Sequence, residues 1–592
     1  MSVVRSIRRR EALVGAGWPA QVTPLLRRIY AARGAHDEAS AQPRLAQLLP
    51  PDALSGIDDA VAMLADAIAR DAHIMVVGDF DCDGATACAV AVRGLRMLGA
   101  MRVSHAVPNR MVHGYGLSPL LVQELAPLRP DLLLTVDHGI ACHAGIAAAK
   151  AQGWRVLVTD HHLPGEQLPP ADAIVNPNQR GDGFACKSLA GVGVIFYVLL
   201  ALRRHLRALA PAATGDSHEA RVPHAAASAD LTRLLDLVAV GTIADLVMLD
   251  TTNRSLVAAG LRQLREGRGC AGLQALITVA GRDPARLTAS DIGFAVAPRL
   301  NAAGRLEDMA LGIHCLLTDE PAEAHVLAAR LHAINAERRG VQQAMVDEAE
   351  AALALRVVPT PDDAAGVCLF DPDWHPGVIG LVASRLKERL HRPVVAFAPA
   401  EPGSVTLRGS ARSIPGFHVR DALAVVDSLH PGLIDRFGGH AMAAGLSLPR
   451  ERLAEFEAAF DACTRATLPV GLLAAEIASD GALHVDEFDH AHACALRDGG
   501  PWGQGFPEPQ FDGEFDVIAW RVVGERHLKL ELGQPGLRLN AIEFGGWAGE
   551  PPPPRVRVVY RLEADLYRGG SAVQLVVVHR EHAPDAVPCR PA

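Results

Sequence analysis

The amino-acid sequence predicts an α/β protein in which a parallel-sheet first domain is followed by a long connecting helix, a second α/β domain and a C-terminal β-barrel. Three observations carry that expectation. Between residues 72 and 200 short apolar runs alternate with longer small-residue segments, residues 321–355 are rich in Ala, Leu, Glu and Arg, and the C-terminal region holds five short strand-like runs. With 592 residues the chain is also too long for one core, so it divides into several domains.

In the first region the apolar runs are HIMVV (73–77), MRVSHAV (101–107), DLLLTVD (131–137), WRVLVTD (154–160) and DAIVNP (172–177). The intervening pieces, among them TACAVAVRGLRML, LSPLLVQELAPL and HAGIAAAKAQG, have helical length. Repeated strand-helix alternation builds a parallel sheet with helices on both faces. A helical block follows in GVGVIFYVLLALRRHLRAL (191–209) and DLTRLLDLVAVGTIADLV (230–247). Between them PAATGDSHEARVPHAAASA (211–229) reads as a surface loop. Residues 321–355 contain strong helix formers with one interior Gly and predict a single long helix. Pro359 and Pro361 in RVVPTPDDAAG (356–366) mark a boundary after it.

The second α/β domain shows strand, helix and strand in GVCLF, VIGLVASRLKERL and RPVVAFA. The runs EFDVIAWRVVG, HLKLEL, LRLNAIEF, RVRVVYRLEADLY and AVQLVVVHR, separated by Gly and Pro, suit a small barrel. The expected divisions are an N-terminal segment 1–60, a first domain 61–318, the connecting helix 319–356, a second domain 357–455 and the barrel domain 456–592.

Composition narrows the functional class. No uninterrupted apolar segment reaches the roughly 20 residues of a membrane-spanning helix. The basic start MSVVRSIRRR is not followed by an apolar stretch and a small-residue cleavage site, so secretion is not expected. Ten scattered cysteines without a Cys-x-x-Cys pair suit a reducing cytoplasm and argue against a zinc ribbon or a disulfide framework. A net charge of -10 gives no general attraction for nucleic acid, so such a partner needs a local basic groove.

The charged residues of the first domain gather at one kind of place. Asp79, Asp81 and Asp83 follow the first predicted strand, Asp137 ends the third, and Asp160, His161 and His162 end the fourth. The carboxyl ends of parallel strands line one crevice, where ligands bind in such sheets. One Asp after a strand is ordinarily a helix cap or turn residue. Seven Asp and His residues at the same ends of three strands, however, form a cluster of negative charge that needs compensation. Carboxylates with imidazoles and no thiolates suit Mg²⁺ or Mn²⁺. Two such ions sharing a carboxylate are suited to phosphodiester hydrolysis.

These residues fall in longer motifs: GDFDCDG (78–84), VPNRMVHGYGLS (107–118), TVDHGI (135–140), VTDHH (158–162), KSLAGVGVIFY (187–197), LLDLVAVGTIADLVMLD (234–250) and APRLNAAGRLEDM (297–309). The set continues with WHPGVIGLVASRLKER (374–389), LRGSARS (407–413), FGGHAMAAGL (437–446), GFPEPQF (505–511) and HLKLEL (527–532). In these motifs the chain resembles the DHH phosphoesterase superfamily, and within it the bacterial exonucleases specific for single-stranded DNA. The likeness covers nearly the whole chain.

The resemblance implies a DHH catalytic domain, a DHH-associated (DHHA1) domain that binds nucleic acid and a terminal OB-fold. It further implies 5′-to-3′ removal of mononucleotides from single-stranded DNA by a two-metal mechanism, in repair and recombination. Asp79, Asp81, Asp83, Asp137, His161 and Asp245 are the implied metal ligands, with Asp236 as the alternative to Asp245. His162 would contact the scissile phosphate or its leaving group, and Asp160 would orient a ligand histidine. Arg305, Ser410 and Arg412 resemble a pocket for the terminal 5′-phosphate, and the alternative for the arginines is interdomain ion pairing. Gly439 and His440 lie in a segment that would let backbone approach nucleic acid, or pack a tight turn. Arg110 would contact the DNA backbone or hold its own loop.

On the OB-fold, Trp520, Arg521, His527 and Lys529 are candidates for stacking bases and following phosphates. The implied cofactors are Mn²⁺ or Mg²⁺, two ions. The implied partners are single-stranded DNA, a single-strand-binding protein and a RecQ-type helicase, with a cytoplasmic monomer and no membrane. The chain departs from the usual superfamily pattern at Phe80 and Cys82, which replace Tyr and Ala, and at His138, expected as a hydrogen-bond partner more than as a ligand. Two rival readings are a phosphoesterase for short oligonucleotides or cyclic dinucleotides, and a non-catalytic single-strand-binding scaffold. A scaffold tends to lose the carboxylates that this chain keeps.

Overall fold

The computed structural model describes residues 5–15, 17–110, 112–209, 226, 228–355, 365–473, 475–565 and 569–583. Most of the loop expected at 211–229 and of the boundary expected at 356–366 lies outside the described residues. Two compact units make up the chain: Arg9–His332 with Ser479–Ala592, and Met1–Arg8 with Ala333–Ala478.

The first unit is built on a five-stranded sheet in the order Val103–Ala106, Ile74–Val77, Leu132–Val136, Arg155–Thr159, Ala173–Val175. Every pairing is parallel. A parallel sheet must be covered on both faces, and its strands accordingly read as continuous Val, Ile and Leu runs. Alternate side chains serve two cores. Ile74, Val76, Leu132, Leu134, Val136 and Leu157 join the core that also takes in the helices Cys82–Met97 and Gly191–Leu209. Met75, Val77, Leu133, Val156 and Val158 meet the helices Pro119–Leu125 and His143–Ala151.

The first strand in the chain lies between the second and the third. The connections therefore leave it on opposite sides, and a crevice opens beyond its carboxyl end and that of Leu132–Val136. Val77 pairs with Thr135 in register, so Asp79 and Asp137 each stand two residues past the same rung. Val136 pairs with Thr159 in turn, which brings Asp160 level with Asp137.

The barrel is closed by five strands in the order Phe511–Val523, His527–Gln534, Leu537–Glu543, Val573–His582, Arg555–Ala564. Residues after Arg9 pack into this same unit and do not form a segment of their own up to residue 60. Tyr30 stacks with Trp502 and Phe506, Arg33 makes a two-pronged bond to buried Asp480, and Arg9 does the same to Asp512.

The second unit holds a sheet in the order Arg436–Gly439, Ala443–Pro449, Thr406–Arg412, Val394–Pro399, Val367–Phe370. Val367–Phe370 and Val394–Pro399 run parallel and the other pairings are antiparallel. The helix Leu453–Thr467 buries Phe456 against Phe397 and adds Phe460 to the same core. This unit therefore runs past residue 455, where the sequence reading ended it, because those phenylalanines have their apolar partners here. The helix Pro321–Leu355 carries the chain from one unit to the other. No helix among the described residues is long and apolar enough to cross a membrane.

Candidate metal centre

Four elements deliver the charged groups. The turn after Ile74–Val77 carries Asp79 and Asp81, and Asp81 caps the helix Cys82–Met97 by accepting from the Gly84 N–H at 3.0 Å. Asp83 lies in the first turn of that helix and is buried. The N-terminus of Gly191–Leu209 points at it: the N–H groups of Gly191 and Val192 donate to the two Asp83 oxygens at 2.7 and 3.0 Å. Unpaired N–H groups at a helix start are a natural seat for a carboxylate. Gly191 has a second reason to be glycine, since a Cβ there would lie 2.3 Å from Asp137 Oδ1.

Asp137 sits in left-handed backbone at φ 66°, a conformation that Asp tolerates better than most residues. It turns the chain out of the strand at the point where the carboxylate must face the crevice. His161 Nε2 lies 3.2 Å from Asp137 Oδ1 and 3.4 Å from Asp245 Oδ2. Asp245 is brought there by the end of the helix Leu235–Ala244.

Three overlapping groups have ligand atoms all within 4.8 Å of one another: Asp79, Asp81 and Asp137; Asp83, His161 and Asp245; Asp137, His161 and His162. Asp137 and His161 are each shared between two groups. Burial, together with the negative charge of Asp81, pushes the Asp79 carboxyl up to about 8 and the Asp83 carboxyl up to about 7. Asp137 and Asp245 are held well above the usual carboxylate range, by burial first and by Asp83 next. Asp79 Oδ1 and Asp137 Oδ1 are buried without a hydrogen-bond partner among the described residues. Buried oxygens left unsatisfied in a cluster of like charges match the requirement of a hard divalent cation.

Asp160 has a different task from its neighbours. Its Oδ1 accepts from the His161 and His162 N–H groups and faces His162 Nδ1 at 2.8 Å, and its Oδ2 accepts from the Ile140 N–H at 2.9 Å. Against its burial, these donors and the His162 charge hold Asp160 well below the usual range. Burial works against a charged His162, but the bond to Asp160 carries it up to about 9. The imidazole that Asp160 faces is that of His162, while it meets His161 through the backbone N–H.

His138 is buried, donates from Nε2 to the Val77 carbonyl at 3.1 Å, and is brought down to about 4 by burial. It belongs to none of the three groups. Asp236 does not either: its oxygens accept from the Leu237 and Cys270 N–H groups, away from the crevice.

Arg110 donates to the Gly304 carbonyl at 3.2 Å with its guanidinium 4.0 Å from the centre of the Phe80 ring. Arg305 is half-buried near the end of the helix Ala297–Leu306. In the second unit, Arg412 donates to Ser384 Oγ at 3.2 Å and to Ser410 Oγ at 3.0 Å. Gly439 is required by its hairpin, with φ 142° and room for no Cβ beside the Ala443 carbonyl, and the His440 N–H donates to that same carbonyl. On the barrel Trp520 stacks on Trp547 with 41% of its surface exposed, and His527 meets the edge of exposed Phe544.

Four contributors went unrecognised in the sequence. Tyr115 reaches His162 Nδ1 at 3.4 Å, Asn301 accepts from the Cys82 N–H at 2.9 Å, and Gly191 and Val192 bind Asp83. All lie in motifs quoted above, but nothing in the linear order says which carboxylate each one meets.

The chain matches three family descriptions: DHH family, N-terminal domain, over residues 73–242; DHHA1 domain over 362–466; and RecJ OB domain over 479–579. It is 47% identical to the single-stranded-DNA-specific exonuclease RecJ of Salmonella typhimurium, across 98% of this chain and 99% of that protein. To the exonuclease of the same name from Bacillus subtilis the identity is 31%, across 94% of this chain and 68% of that protein. Among solved structures, RecJ of Thermus thermophilus in complex with Mn²⁺ superposes with a TM-score of 0.79 at 30% identity, covering 98% of this chain and 80% of that one.

The raised carboxyls set a pH dependence. Below about 7 the metal-free centre keeps protons on Asp79 and Asp83, and a cation must displace them. A carboxyl whose pKa rises on folding stabilises the fold only while protonated, so the metal-free protein should lose stability as the pH climbs from about 4, where the unfolded chain releases these protons, through about 7 to 8, where the folded centre does. The gap between unfolding midpoints with Mn²⁺ and with EDTA should therefore be wider at about pH 8.5 than at about pH 6. A gap independent of pH would remove the proton-cation exchange.

Proposed function

The chain belongs to the RecJ family of single-stranded-DNA-specific exonucleases, and from that premise we propose that it removes mononucleotides from the 5′ end of a single strand. It is a metal-dependent hydrolase that uses Mn²⁺ or Mg²⁺. The observation that carries the reading is the set of buried and half-buried carboxylates with one imidazole at the sheet's switch point, in which Asp79 Oδ1 and Asp137 Oδ1 lack a hydrogen-bond partner among the described residues. Asp79, Asp81, Asp83, Asp137, His161 and Asp245 would hold two divalent cations. Bound there, the cations supply Lewis acidity and neutralise charge that develops on the phosphodiester.

The protein's own groups set the rest. His162, kept charged by Asp160, presents a proton donor at the phosphate. As the P–O3′ bond breaks and water adds to phosphorus, the proton passes to the departing 3′ oxygen. Asp160 keeps the charged ring in one orientation, as an acidic partner does for a working histidine. Within the second unit, Arg412 with Ser410 would select the terminal 5′-phosphate through forked guanidinium donors.

The exposed Trp520–Trp547 stack, with Arg521 and Lys529 on the same strand pair, supports base stacking and phosphate contact along the barrel. We keep a cytoplasmic monomer as part of the reading, with a single-strand-binding protein and a RecQ-type helicase as partners implied by the family. The intact carboxylate set favours an enzyme over a binding scaffold.

Asp137→Ala should abolish release of nucleotides from 5′-labelled single strands while strand binding persists, and retained cleavage would take Asp137 out of the centre. The same strands labelled at either end report polarity and product size, and shortening from the 3′ end would reverse the assigned direction. Arg412→Ala should erase the preference for 5′-phosphate over 5′-hydroxyl ends, a role that an unchanged preference would rule out. Trp520→Ala should weaken binding of long single strands roughly tenfold, the scale of one lost base stack. Unaltered binding would move the strand off this face.

A further inference from the structure

We propose that Leu246 and Phe294 form an apolar ledge beside the metal centre on which one base of the substrate strand is held, an inference that rests on the exonuclease reading above. Leu246 follows Asp245 directly, adopts left-handed backbone at φ 59° and leaves 73% of its surface exposed. That conformation is unfavourable for any residue with a Cβ; it ends the helix Leu235–Ala244, with the Leu246 N–H donating to the Ile243 carbonyl at 3.3 Å, and it leaves Leu246 exposed between buried Ile243 and Leu249. Phe294 is 85% exposed and lies in a π-helical turn, Ile292–Val296, whose first and last residues are buried. Such turns are rare and gather at functional sites.

Both residues border the same centre. At Gly293 an added Cβ would stand 3.5 Å from Ile243 Cγ2, so the π-turn lies on the last turn of the helix that presents Asp245. The helix Ala297–Leu306, which continues from the π-turn, reaches the Asp79–Asp83 loop. Its Asn301 accepts from the Cys82 N–H, and at Gly304 a Cβ would lie 1.8 Å from the Phe80 carbonyl oxygen. The turn that exposes Phe294 thus joins the two halves of the metal site.

Single exposed apolar residues are ordinary on a protein surface. Two of them, one on left-handed backbone and one on a π-turn, each belonging to a segment at or packed against the helix that presents Asp245, make a surface that a ligand would cover. A phosphodiester placed at Asp245 brings its own nucleoside to this border, and a phenyl face with a leucine beside it accepts any base without reading its edge. The occupant is therefore a nucleobase, and the ledge grips a strand irrespective of sequence.

The test uses the full chain and 5′-phosphorylated single strands, either intact or carrying one abasic nucleotide walked along the first positions. The wild type should show a raised KM at one abasic position. Phe294→Ala should raise KM on intact strands roughly tenfold with little change in kcat, and should add nothing further at that abasic position. Leu246→Gly, which relieves the backbone and removes the side chain, should act at the same position, and Phe294→Trp should retain the wild-type KM. Wild-type KM in both Phe294→Ala and Leu246→Gly, or losses that combine independently with the abasic site at every position, would overturn the ledge. Failure of the wild type itself to degrade single strands would instead overturn the exonuclease reading.

Discussion

Repulsion among carboxylates in a buried crevice is the constraint around which the first unit is organised. Asp79, Asp83, Asp137 and Asp245 are all buried or nearly so, and each has its carboxyl raised by burial and by its acidic neighbours. Like charges this close in a poorly solvated site oppose folding unless protons or cations neutralise them. The fold keeps the groups together through fixed donors and backbone geometry. Two N–H groups from one helix hold Asp83, a cap holds Asp81, and a left-handed turn aims Asp137. The remaining charge is left for cations.

Sheet topology decides that these groups meet at all. Because the first strand in the chain lies between the second and third, the crevice opens beyond Val77 and Val136, and Asp79 and Asp137 stand at equal distances past one paired rung. The neighbouring Asp160 shows how finely position separates roles. Four donors meet this equally buried carboxyl and keep it ionised, and its charge in turn keeps a proton on His162. One crevice therefore holds carboxyls that want a cation beside a carboxylate already satisfied by the protein.

Much of this was legible in the linear order. Strand-helix alternation shows a parallel sheet, and Asp or His at the ends of three strands shows a polar crevice. The resemblance put Asp245 ahead of Asp236, and in the structure Asp245 stands beside His161 while Asp236 spends its oxygens on Leu237 and Cys270. Other assignments could not be read. Arg110 and Gly439 were compatible with contact to nucleic acid and with local packing alike, and which partner an arginine or a tight turn meets depends on residues far along the chain. The second unit runs past 455 for the same reason, since Phe456 and Phe460 carry no sign in the sequence of which core they will join.

The sequence by itself determined the element types, the chemistry of the site and the family. Hydrophobic period and residue type are local properties and survive in one dimension. Tertiary structure alone decided which oxygens are left unsatisfied and that Leu246 and Phe294 stand exposed beside the centre. Each of those facts is a relation between residues far apart in the chain, set by strand order and helix packing, and no local pattern encodes it.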